Sequence, residues 1–154
     1  MGPLLSKPLA VAAAVLGLAA CDGGVSQETY AERVGEVCAD IEREVTQLRS
    51  TRAETSGEVA AVIDEVIRHS RDAVRRIKRI ERPDGDPGAD AGRFVKTLER
   101  EVEEEAIPAL EDLRDAVTRQ DQEAAAEAGA RLQRLERSES DRLARELGAD
   151  ACAG

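Results

Sequence analysis

Tryptophan and asparagine are missing from the 154-residue chain, histidine occurs once, and Tyr30 and Phe94 are the only aromatic residues. Sheets lean on aromatic and β-branched side chains to cover their faces, so this shortage argues against a β-sandwich or barrel and for a core of Val, Ile, Leu and Ala in helices. Basic residues are the minority, 22 against 32 acidic, for a net charge of −10. Neutralising phosphates requires clustered positive charge, so no nucleic-acid partner is expected. Long hydrophobic runs are lacking too. The longest, Leu9 to Ala20, falls short of the roughly 20 residues that cross a bilayer as a helix.

That run follows Lys7 and ends at Leu18-Ala19-Ala20-Cys21. A charged n-region, a short apolar h-region and small residues at its end make a signal peptide. Ordinary cleavage after Ala20 would need a small residue where Leu18 stands, whereas the four residues resemble the lipobox of bacterial lipoproteins, cut before a cysteine that carries lipid. The expected division is a lipoprotein signal peptide over 1–20, a short tether over 21–26 from lipidated Cys21, and one helical domain over 27–154. Palmitate-type acyl chains on Cys21 would hold the domain at the extracytoplasmic face of the cell membrane. Loss of Lys7 leaves 21 basic against 32 acidic residues in the mature chain, a net charge of −11.

With Cys21 acylated, Cys38 and Cys152 remain as an even pair in an oxidising compartment. A disulfide is the expected state. A metal pair or a reactive thiol is the alternative, with neither a nearby histidine nor a CxxC spacing to support it.

Four amphipathic segments follow by their period. The first places Tyr30, Val34, Cys38, Ile41, Val45 and Leu48 on one face, with Thr29 and Glu32 as a capping box. The second carries Val59, Ile63, Val66, Ala73, Ile77 and Ile80, opens on the box Thr55 and Glu58, and stops at Pro83-Asp84-Gly85-Asp86-Pro87-Gly88. The third starts after a capping Asp86 with Pro87 as its first residue and runs through Ala91, Val95, Leu98, Val102 and Ala106. Pro108 then kinks or splits it before Leu110, Leu113 and Val117. The fourth begins near Asp121, turns Ala125, Ala128, Leu132, Leu135, Leu143 and Leu147 inward across a polar stretch at Ser138 to Asp141, and ends on Gly148. Short connections make neighbours antiparallel, so the expected fold is an all-α, up-down-up-down four-helix bundle. An even number of helices returns Cys152 to the side of Cys38.

The context of Cys38 (Tyr30-Ala31 through Val37-Cys38-Ala39), the acidic turn at Asp121 before an alanine-rich helix, and the ending Leu143-Ala144-Arg145-Glu146-Leu147-Gly148 through Cys152 resemble small exported helical proteins and lipoproteins of actinobacteria. The resemblance implies a helical fold, a cysteine of the first helix paired with one after a terminal Leu-Gly, and an envelope location. It implies no activity.

Catalytic patterns are not found. His69, with Glu65 one turn earlier, is too little for a transition-metal site, and the facing Glu-x-x-His motifs of di-iron bundles do not occur. The Asp84 to Asp90 loop misses the glycine and glutamate of a calcium hand, so its aspartates read as turn and cap residues. No Walker loop, GxSxG elbow or Cys-His pair is present. The expected protein is therefore no enzyme and needs no cofactor or metal. Its partners would be the membrane, through lipid, and an envelope protein; the alternative is a small ligand or cation held by the bundle. One charged feature stands out. Arg68 to Arg82 load the end of the second helix with cations, and Glu99 to Glu105 load the third with carboxylates. Pairing across the hairpin is the simpler reading, and a membrane-facing basic cluster of Arg75, Arg76, Arg79 and Arg82 is the functional one.

Overall fold

The computed structural model describes residues 24–135 and 139–153. These residues are helical almost throughout: α1 spans Gln27–Ser50, α2 Ser56–Lys78, α3 Gly85–Arg100, α4 Ile107–Arg119, α5 Gln122–Arg134 and α6 Glu139–Leu147. A π-helical turn, Glu101–Ala106, joins α3 to α4 without a break, and a short 3-10 turn, Asp150–Cys152, follows α6. The four expected rods are thus α1, α2, α3 with α4, and α5 with α6.

Contacts across the seams fix their directions. Asp40 and Glu44 of α1 meet Arg76 and His69 of α2, so the partner number falls as the α1 number rises. Lys78, Arg71 and Asp64 of α2 meet Glu99, Glu103 and Arg114 in the same inverse order. Arg131 meets Asp112, and the start of α6 meets Glu101. Every neighbouring pair is antiparallel, as an up-down-up-down bundle requires.

Local chemistry explains most boundaries. Ser26 caps α1 by accepting from the Thr29 N–H at 3.1 Å, which moves the cap one turn ahead of the expected Thr29. The earlier start puts Val25 and Tyr30 at the two positions of a hydrophobic staple, and Val25 packs on the core cluster that contains Tyr30. Thr55 and Glu58 form the reciprocal capping box of α2. Asp84, not Asp86, is the residue ahead of α3, and its side chain makes no capping bond. Gly85 takes φ +68° there, and a Cβ on Gly88 would fall 2.0 Å from the Pro83 carbonyl oxygen, so this corner needs both glycines. Asp121 caps α5 through the Ala124 N–H. Gly148, at φ +84°, ends α6 in a Schellman motif, with Gly148 N–H donating to Arg145 and Ala149 N–H to Ala144.

The third rod departs from expectation in where its irregularity lies. Rather than breaking at Pro108, it widens just before it: Ile107 N–H donates to Val102, five residues back. Proline has no N–H to donate and its ring crowds the carbonyl four residues earlier, a conflict that one extra residue per turn relieves. The added residue also rotates the helix, so Ile107 is buried where the period pointed to Ala106. The fourth rod is two helices, α5 and α6, on either side of 136–138.

Two apolar clusters result. The lower joins Tyr30, Val34 and Val37 with Ile77, Phe94, Val95, Leu143, Ala144 and Leu147. The upper is smaller, Ile63, Ile67 and Ile107, with Leu110, Leu113 and Val117 packed on it. α6 lies against α3 and α1, whereas α5 lies against α4.

Candidate functional site

The chain enters at the lower end of the bundle. Gly24 lies so close to the α2–α3 corner that a Cβ on it would be 2.9 Å from Asp84 Oδ2. The start of α1, the end of α2 and the start of α3 therefore share one end. Cys21 and the signal segment 1–20 lie outside the described residues. Arg82 approaches this corner too: a Cβ on Gly92 would meet its guanidinium at 3.4 Å. Beside it Tyr30 is completely buried, and its hydroxyl has no hydrogen-bond partner among the described residues. Burial pushes the Tyr30 phenol up, with the positive charge of Arg82 opposing.

The four arginines of the basic cluster divide. Arg75 pairs with Asp72 at 3.1 Å and Arg76 with Asp40 at 2.7 Å. The hydrogen bond from Arg76 holds the Asp40 carboxyl below its usual range and raises the guanidinium in return. Lys78 with Glu99, and Arg71 with Glu103 at 3.4 Å, tie α2 to the third rod. Arg79 and Arg82 are exposed and form no ion pair among the described residues. The Asp72–Arg75 pair is legible as an i,i+3 spacing. The Asp40–Arg76 pair depends on the α1–α2 register and is not.

His69 sits in the α1–α2 seam, 14% exposed, with Nδ1 2.6 Å from Glu44 and Nε2 near Glu65 and Arg68. The sequence set only Glu65 beside it, one turn earlier; the packing adds Glu44. No group of three or more His, Cys, Asp and Glu side chains among the described residues is arranged to hold a metal. In the Asp84 to Asp90 corner, Asp90 is paired with Arg93.

Cys38 and Cys152 are disulfide-bonded, with Cα atoms 5.2 Å apart. Above the bond opens a groove of about 580 Å³, walled by Ile41 and Val45 of α1, Ala73 of α2, and Leu98 and Val102 of the third rod. Periodicity had assigned this space to the fourth helix. Because α5 packs on α4, the space stands open.

No family model matches the chain, and neither a curated protein nor a solved structure matches it significantly.

Proposed function

We propose that the chain is a lipid-anchored protein of the cell envelope that works by contact rather than catalysis, held to the extracytoplasmic face of the membrane through Cys21. The observation that carries the reading is the motif Leu18-Ala19-Ala20-Cys21 after a charged start and a short apolar run. Two further features support it: an oxidised Cys38–Cys152 pair suits an exported protein, and Gly24 leads from the lower corner, where Arg79 and Arg82 form no ion pair among the described residues. Five residues, Asp22 to Ser26, separate the lipid from α1. At about 3.5 Å each they reach under roughly 20 Å, so the lower corner stays near the headgroups. There the two arginines would meet anionic lipid, each adding about 1 kcal/mol near the surface.

Fractionation of cells carrying Cys21→Ala tests the anchor. The variant should leave the membrane fraction or remain an uncleaved precursor; a processed, membrane-bound variant would refute the reading. The groove favours a second reading, a carrier of a small apolar ligand. Native mass spectrometry of the purified protein tests it, through a retained small-molecule mass.

A further inference from the structure

The upper half of α1 is the least covered part of the bundle's apolar lining. Tyr30, Val34 and Val37 below are buried, whereas Ile41, Val45 and Leu48 above are only half-buried. The furrow between α1 and the third rod is filled by a helix, α6, at its lower end. It continues, empty, past the disulfide along the same two walls. A second hollow on the other flank of α1, along Arg43 and Gln47, leaves this half of the helix open on both sides.

The charges on that wall are unmatched in a particular way. Neighbouring Asp40 and Arg43 are engaged in ion pairs, and Glu44 is held against His69. Glu42 and Arg49, both exposed and both lining the groove, have no ion pair among the described residues. They are opposite in sign and seven residues apart, about 10.5 Å along the helix, too far to reach each other.

We propose that this face binds a second copy of the same chain, α1 against α1 and antiparallel, each helix lying in the other's groove. An antiparallel copy sets Glu42 opposite Arg49 of the second copy and Arg49 opposite its Glu42, with the two-fold axis passing between Val45 and Thr46. Val45 of each then lies beside Thr46 of the other. One surface supplies the helix, the half-buried apolar residues Ile41 and Val45, and the complementary charges, as an isologous interface requires. The tethers leave from opposite ends of such a pair, so a pair anchored in one membrane lies with its helices along the surface. The inference rests on the contact-module reading and names its partner.

Cysteine cross-linking of the full lipoprotein in membranes tests it. Val45→Cys, and separately Thr46→Cys on the exposed side of the axis, should each give, on oxidation, a reducible species of twice the monomer mass. Ala126→Cys, on the outer face of α5, should not. Glu42→Arg or Arg49→Glu, in either background, should reduce the doubled species about tenfold, since two attractive exposed contacts become repulsive. The double reversal should restore it. Absence of the doubled species with both axis cysteines would overturn the proposal, as would indifference to the single reversals, an adduct of another mass, or a monomer retaining a small apolar molecule. A failed anchor is read separately, since Cys21→Ala changes only the fraction in which the pair is found.

Discussion

Tyr30 shows how one residue can serve packing at a polar cost. Its ring fills the lower core between α1 and α3, yet its hydroxyl is buried without a partner among the described residues. An unsatisfied buried hydroxyl costs about 1–3 kcal/mol, so Tyr30→Phe should leave stability unchanged or raise it by about 1 kcal/mol in urea unfolding. A loss of similar size would mean that the hydroxyl has a bonding role. Asp40 is the opposite case, a carboxylate whose value lies in its partner. Its pKa is depressed in the fold chiefly by the hydrogen bond from Arg76. A depressed pKa stabilises the fold fully above the ordinary carboxylate range, and that contribution is lost as pH falls through the folded value. Glu58 and Glu65 are lowered as well. Acid titration of unfolding should therefore show stability falling below the ordinary carboxylate range, with a shallower fall in Asp40→Asn. Identical acid limbs would show that the pair contributes nothing.

Among the helices, the junction of the third rod with α6 was the least legible in the sequence. The period marked Val102 and Leu110 as inward and Pro108 as trouble, but nothing local announced that the ladder would widen at Glu101–Ala106 or that Glu101 would turn inward. In the fold Glu101 is 8% exposed, and its carboxylate accepts from the N–H groups of Glu139 and Ser140 at 3.1 and 3.3 Å. A capping partner 38 residues away leaves no short-range pattern. Caps that close over three residues, such as Thr55 with Glu58, were legible for that reason; at α1 the Thr29–Glu32 pattern misled, and the cap is Ser26, with Val25 packed on the cluster of Tyr30. Glu101→Ala should cost about 1–3 kcal/mol, because two N–H groups at a helix start lose their acceptor. Hydrogen exchange should quicken in α6 and not in α5. Uniform quickening in both would show that α5 and α6 open as one unit.

For the whole molecule, four rods, their order and the Cys38–Cys152 bond followed from hydrophobic period, short connections and the pair of cysteines left once Cys21 is set aside. Those signals are each local or additive. The groove was not legible, because it depends on α5 lying against α4 rather than α1, a choice between distant surfaces that no local pattern decides. The disulfide compensates for a core with two aromatics: a closed loop of about 100 residues contributes about 4.7 kcal/mol in the chain-entropy model, and the sequence separation here is 114. It also pins the tail after α6 to α1, which fixes the lower end of the groove. The proposed anchor, oxidising compartment and contact role all depend on processing at Cys21. Intact mass measurement of the protein extracted from membranes tests that most directly. The account predicts a chain beginning at Cys21, heavier by its acyl chains and lighter by the two hydrogens of the Cys38–Cys152 bond; an unacylated chain, or one starting at any other residue, would contradict it.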